Sequence, residues 1–241
     1  MSKQNKTVLV VSAHSADFVW RAGGAIALYT NRDYEVTIAC LSLGERGESA
    51  KLWKKQGMTL ERVKEDRRLE AEKAAAVLGA KLVYFDLGDY PMRVPDKVIY
   101  ELADLFRRVD PEFVLTHALN DPYNFDHPLA SHITQEARIV AQAHGHRPED
   151  GKVIGAPPVF LFEPHQPEQC QWVPNTLLDI SHVWDKKRAA FEIMVAQEHL
   201  WEYYTRVALQ RGVQASRNSN LNIKYAEAYQ RIFPQVTREL L

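Results

Sequence analysis

The sequence predicts a Rossmann-like α/β fold, with a mostly parallel sheet, helices on both faces and a helical C-terminal region. Short apolar runs at Thr7 to Ser12, Glu35 to Leu41, Lys81 to Phe85, Phe113 to Thr116 and Val159 to Phe162 read as buried strands. Segments of helical periodicity separate them, as strand–helix–strand crossovers require. The 241 residues, 46% of them hydrophobic, are enough for one sizeable core, so residues 1–241 are read as a single domain.

Taken in order, the first run ends in His14 and Asp17, and a helix follows from Phe18 to about Tyr29. Gly23 and Gly24 lie inside that helix, where close packing would explain them. Cys40 falls in the second strand and is read as core, since no paired base makes it a nucleophile. After the "SLGERGES" loop, "LERVKEDRRLEAEKAAAVLGA" is rich in Ala, Glu and Lys and ends at Gly79 as a helix with a C-cap glycine does. The chain then turns around Pro91 to Pro95 before a helix from Lys97 to Arg108. Pro128 suits the first turn of a helix that follows the fourth strand. His144 to Pro158 reads as a loop. Beyond Leu177 the chain reads as largely helical, covering one end of the sheet or, alternatively, forming a partner interface.

Thirty Lys and Arg balance 31 Asp and Glu, so no global field points to nucleic acid or membrane as a partner. The start "MSKQNKTV" lacks the apolar segment of a secretory signal, and only two cysteines are present. A cytoplasmic location without transmembrane spans is the expectation.

The densest chemistry sits where strands end. His14 and Asp17 leave one strand together, at the edge where open α/β sheets bind ligands. An isolated His-x-x-Asp is ordinarily a loop histidine beside a helix-capping aspartate, so a third donor is needed. His127 supplies it beside a helix N-terminus, where the helix dipole favours the neutral imidazole that a metal requires. Asp126 could support the site by hydrogen bonding. His117 is a rival ligand at the strand end itself, whereas His132 lies five residues beyond His127 and points elsewhere on a regular helix.

The strings "AHSADF", "GERGES", "RRLEAEKAAAVLG", "NFDHP" and "YAEAY", in that order, resemble the PIG-L/LmbE-like zinc protein family over almost the whole chain. That family commonly opens with Ala-His-Pro-Asp-Asp-Glu, in which the histidine and second aspartate bind zinc and the first aspartate is the deacetylation base. The resemblance implies one zinc ion per chain on His14, Asp17 and His127. Two histidines and a carboxylate would also accept iron, cobalt or manganese. The chain departs from the family pattern at Ser15, at Ala16 in the base position, at Phe18, and at Asn124 in place of a histidine. The metal ligands thus survive where the hydrolytic base does not. The string "VVSAHSADFVWRAGGAIALY" resembles a divergent hydratase branch of the family. That implies addition of water to the carbon–carbon double bond of a small unsaturated oxo-polycarboxylate in gallate and other aromatic degradation.

Hydration of an activated alkene needs an acid and a base beside the electrophile. Glu48 is the first candidate, with Glu45 its competitor in the same loop, and His165 after "VFLFEP" is the second. Glu163 would orient His165. Arg21 and Arg46 suit recognition of the substrate carboxylates, as does Asn124 by position, and Arg67, Arg211 and Arg217 are weaker candidates in helical charge patterns. Family position alone puts Lys224 and Tyr225 near the pocket. The competing readings are a zinc-dependent N-acyl deacetylase with a recruited base and a noncatalytic metal-binding scaffold. A homo-oligomer is expected from the exposed C-terminal helices.

Overall fold

A computed structural model describes residues 6–146 and 152–238. The start of the chain at residues 1–5 and part of the His144 to Pro158 loop lie outside the described residues.

The elements run β1 (Thr7–Ser12), α1 (Asp17–Thr30), β2 (Glu35–Cys40), α2 (Ala50–Trp53), α3 (Leu60–Leu78), β3 (Lys81–Tyr84), α4 (Asp96–Val109), β4 (Phe113–Thr116), α5 (Asp126–Gln142), β5 (Val159–Phe162), β6 (Thr176–Asp179), α6 (Trp184–Ile193), α7 (Trp201–Arg217) and β7 (Ala226–Arg231). The seven strands form one sheet in the order β3-β2-β1-β4-β5-β7-β6. Strands β1 to β5 pair in parallel, and β7 pairs antiparallel with both β5 and β6. The α/β architecture and its parallel core therefore match the sequence reading.

The central strand β1 shows why both faces need helices. Val8 and Val10 enter a core shared with α1, α3 and α6, while Leu9 and Val11 enter another shared with α4 and α5. Alternate residues of a strand point to opposite faces, so an apolar run without polar alternation is buried twice. Helix α4 illustrates the complementary pattern, because Val98, Ile99, Leu102, Ala103, Leu105 and Phe106 repeat at helical spacing and are buried.

Helix α1 is the most enclosed helix segment, buried continuously from Asp17 to Leu28. Gly24 explains part of this: a Cβ there would lie 2.7 Å from Ile180 Cγ2 and 2.8 Å from Glu227 Oε1. The missing side chain lets the Glu227 carboxylate reach the helix backbone, where it accepts the N–H of Gly24 at 2.7 Å and of Ala25 at 2.8 Å.

The region beyond Leu177 needs correction. It contains the expected helices α6 and α7, but Thr176–Asp179 and Ala226–Arg231 are strands that extend the sheet beyond β5. Their pairing partners lie far away in sequence, and "AEAYQR" carries no apolar run to announce a strand. Helix α6 packs on α1 and α3, whereas α7 packs on β7 and β6.

Candidate metal centre

The direction of the sheet order reverses between β1 and β4, and the carboxyl ends of strands at such a switch point open a crevice. The loops after β1, β2 and β4 deliver His14 and Asp17, Glu48, and His127 into that crevice. One donor atom from each of these four residues lies within 4.8 Å of every other.

His14, Asp17 and His127 are each held by neighbouring groups. Asp17 Oδ2 accepts the His14 backbone N–H at 2.9 Å, which closes the loop between β1 and α1, and Oδ2 lies 3.1 Å from His14 Nδ1. His14 Nδ1 is also 3.2 Å from Glu48 Oε1. The far side of the ring, Nε2, lies 3.2 Å from Asp126 Oδ2. Asp126 is itself fixed, since its two oxygens accept the backbone N–H groups of Tyr90 and Met92 at 3.0 and 2.9 Å. His127 is oriented by Asp121, whose Oδ2 is 2.8 Å from Nδ1. This leaves Nε2 facing Asp17 Oδ1 at 3.5 Å and Glu48 Oε1 at 4.0 Å. The Asn124 amide also reaches that nitrogen, at 3.1 Å.

His14 Nδ1 and His127 Nε2 lie 3.1 and 3.5 Å from the two Asp17 oxygens, separations that donors about 2.0–2.1 Å from one divalent ion can have, so these three residues would hold it with Glu48 alongside. Two further observations point the same way. Glu48 Oε2 is buried without a hydrogen-bond partner among the described residues, a cost of about 1–3 kcal/mol that a cation would remove. Four carboxylates, of Asp17, Glu48, Asp121 and Asp126, also crowd two imidazoles, an excess of negative charge that a divalent cation would offset. Carboxylate partners behind metal-ligating histidines commonly fix ring orientation and tautomer.

The electrostatics reflect this crowding. Burial opposes the charged form of His14, but Glu48, Asp126 and Asp17 outweigh it and hold its pKa well above the ordinary histidine value. Burial likewise opposes ionisation of Asp17 and Glu48. Histidines 127 and 117 around the first, and His14 beside the second, still bring both carboxyls below the usual range. Desolvation and then His127 push His117 the other way, well below the ordinary value. His117 Nε2 accepts the Ala13 backbone N–H at 2.9 Å, and its ring stacks on His127 at 4.4 Å between centroids. With Nε2 occupied in that bond, His117 packs the centre instead of joining it.

The other candidates are dispersed. Arg21 is buried and holds the cluster, donating to Asp17 Oδ1 at 3.3 Å and to the Glu163 carbonyl at 2.7 Å. The side chain of Glu163 does not meet His165, because Arg211 takes both of its oxygens. His165 lies half-buried at the end of β5, stacked on Tyr203 at 4.3 Å, with its pKa lowered by burial and by the Arg21 charge. Arg46 is half-exposed, with Nη1 3.3 Å from Glu45 Oε1. Arg67 is fully buried and donates to Leu43 O, Glu70 and Gln197, a purely internal set of partners. Arg217 is exposed in the last turn of α7, and His132 is exposed beside Glu136. Lys224 lies over Tyr225, whose ring stacks on Trp184 at 4.1 Å, so this pair packs against α6 away from the cluster. Cys40 is core, as expected, with burial pushing its thiol up to about 12.

Two contributors went unread in the sequence. Asp121 has no helix or strand periodicity to mark it, although its carboxylate six residues before His127 was a visible signal. Tyr90 follows β3, and its ring centroid lies 6.1 Å from that of His14.

Known proteins resemble this chain over its whole length. The chain is 62% identical to the 4-oxalmesaconate hydratase of Pseudomonas putida KT2440 over 244 aligned positions, covering 100% of this chain and 94% of the relative. It superposes with a TM-score of 0.95 on the crystal structure of GalB, the 4-carboxy-2-hydroxymuconate hydratase from the same organism. That match has 63% identity and covers 98% of this chain and 100% of the other. The diacetylchitobiose deacetylase of Pyrococcus horikoshii shares the fold, with a TM-score of 0.76 at 21% identity over 95% of this chain and 85% of that one. Residues 9–138 match the family model described as PIG-L, GlcNAc-PI de-N-acetylase, and the chain belongs to the PIG-L family.

Proposed function

We propose that this chain is a zinc-dependent hydratase that adds water across the carbon–carbon double bond of 4-oxalomesaconate, giving 4-carboxy-4-hydroxy-2-oxoadipate. The observation that carries the reading is full-length identity of 62% to a hydratase. The two names attached to the relatives, 4-oxalmesaconate hydratase and 4-carboxy-2-hydroxymuconate hydratase, describe keto and enol tautomers of one tricarboxylate skeleton. The buried Ala16 supports the reading further, because a methyl group in the family's base position cannot accept the proton of an attacking water.

His14, Asp17 and His127 would hold one ion per chain, with Glu48 at the edge of the same cluster. The ion supplies Lewis-acid polarisation of a substrate oxygen or of water. Glu48, at the edge of the cluster, is the candidate base for the proton released as the C–O bond forms. The electron pair of the double bond moves toward the neighbouring carboxylate, and the adjacent carbon then takes a proton, for which His165 is the candidate donor. Arg21 and Arg46 are candidate cations for substrate carboxylates, Arg21 from inside the cluster and Arg46 from the half-exposed loop.

We infer a cytoplasmic enzyme on the strength of its small, highly charged substrate; no helix among the described residues is long and apolar enough to cross a membrane. Self-association is inferred from exposed apolar side chains such as Leu209 and Val213, one turn apart on α7. Metal-loaded protein should consume 4-oxalomesaconate, seen as loss of conjugated absorbance, without releasing amine from N-acetyl sugars. Amine release without hydration would establish the deacetylase instead, and turnover of neither substrate the scaffold. Glu48→Gln and His165→Gln should each lower kcat about a hundredfold to ten-thousandfold in the hydration assay.

A further inference from the structure

We propose that Tyr90 is a substrate-binding residue of the hydration site, its phenol hydrogen-bonding a carboxylate or oxo oxygen of the tricarboxylate; this rests on the hydratase reading above. Three observations place it. The ring lies flat against the loop that carries Glu48: a Cβ at Gly47 would fall 2.2 Å from Tyr90 Cδ2 and 2.3 Å from Cε2, so only glycine admits the ring there. The same ring stands 6.1 Å from His14, centroid to centroid, so it spans from the glutamate loop to the donor cluster. Its outer part is open, with 46% of the residue exposed, and the hydroxyl has no hydrogen-bond partner among the described residues.

The backbone beneath is held against its own preference. Tyr90 has φ 47°, a left-handed conformation that an aromatic residue rarely adopts and that costs on the order of 1–3 kcal/mol. Two carboxylates impose it. Asp126 Oδ2 accepts the Tyr90 N–H at 3.0 Å while also contacting His14 Nε2 at 3.2 Å. Asp89 accepts the N–H groups of Arg46 at 2.9 Å and Gly47 at 2.7 Å, fastening the Tyr90 loop to the Glu48 loop. Packing alone does not call for this arrangement, because a half-exposed ring contributes little to the core. Aromatic rings with a polar tip serve where one side is packed and the other meets a ligand. A phenol presented between the glutamate loop and the cluster offers the donor that an oxygen-rich substrate needs.

The test compares wild type with Tyr90→Phe, which keeps the ring on Gly47 and removes only the hydroxyl. Wild type and variant should melt together and bind metal with the same stoichiometry. In the variant KM should rise about 10–100-fold with kcat little changed, as loss of a hydrogen bond to a charged group in both ground and transition states predicts. The dissociation constant of tricarballylate, an unreactive tricarboxylate, should rise in parallel by calorimetry. Gly47→Ala, which displaces the ring, should weaken tricarballylate binding at least as much. Normal wild-type hydration with unchanged KM and unchanged tricarballylate affinity in Tyr90→Phe removes the assignment of Tyr90 alone. Failure of metal-loaded wild type to hydrate 4-oxalomesaconate removes the hydratase reading, and the Tyr90 proposal with it.

Discussion

Replacing Lys187 with methionine should destabilise the protein by about 3 kcal/mol, through the helix that carries Asp17. Lys187 Nζ lies 2.5 Å from Glu227 Oε1 and donates to the Trp20 carbonyl at 3.0 Å. Both side chains are buried. The Glu227 carboxylate also accepts Gly24 N, Ala25 N and the Tyr229 hydroxyl, the last at 2.6 Å, so it ties β7 to the middle of α1. Methionine preserves length and apolar packing but leaves a carboxylate buried without its cation. Breaking a buried pair from one side costs about 3–5 kcal/mol, and the three remaining donors to Glu227 put this case at the low end. For a chain of this size the melting temperature should fall by roughly 6–12 °C. Urea unfolding of metal-free protein is the appropriate assay, because bound metal would add its own linkage to the stability. A double-mutant cycle with Glu227→Gln should show coupling of at least about 1 kcal/mol. A loss below about 1 kcal/mol in Lys187→Met, with no coupling, would refute the account of α1 as a helix stapled by a buried ion pair.

The remaining predictions concern the centre itself. Alanine at His14, Asp17 or His127 should abolish stoichiometric metal binding, while Asp121→Asn and Asp126→Asn should weaken it about 10–100-fold; elemental analysis and chelator competition measure both, and equal loss in all five variants would contradict the distinction. Metal affinity should rise with pH, about tenfold per unit for each proton displaced, and keep rising above 6.5, because the surrounding carboxylates hold the His14 proton past its ordinary range. An affinity that levels off below that pH would contradict it. Ala16→Asp should not create an efficient deacetylase, since Phe18 and Asn124 also differ from the hydrolytic pattern; rapid release of amine from a simple N-acetyl sugar by that single variant would show otherwise.

The parallel half of the fold was legible because double burial forces its strands to be apolar throughout, so β1, β2, β4 and β5 stand out against the helices between them. The other edge was hidden for the converse reason. In β7, Glu227 looks like a polar interruption until α1 and Lys187 surround it, and the strand exists because Phe160 to Phe162 on one side and Thr176 to Asp179 on the other offer it backbone partners. The centre divides in the same way. His14 and Asp17 follow the end of β1 directly, whereas His127 is marked by its place in the first turn of α5, after the loop that follows β4. Arg67 and Arg211 carry the same charge as Arg21, but one donates to the Leu43 carbonyl and the other to Glu163, partners 24 and 48 residues away that local sequence does not show.

The position of Glu48 then bears on how one fold hosts two chemistries. In the pattern this chain resembles, the base sits in the loop after β1, beside the ligand on α1. Here that place is the buried methyl group of Ala16, the N-cap of α1, with no side chain to bond. The carboxylate instead enters from the loop after β2, 3.2 Å from His14, with one oxygen lacking a partner. Glu48 and Ala16 thus stand in the loops after two neighbouring parallel strands, β2 and β1. His127, His14 and Asp17 are anchored separately from Glu48, by Asp121, Asp126 and Arg21 respectively. On the function proposed above, that separate anchoring would let the base change loops without disturbing the residues that hold the ion.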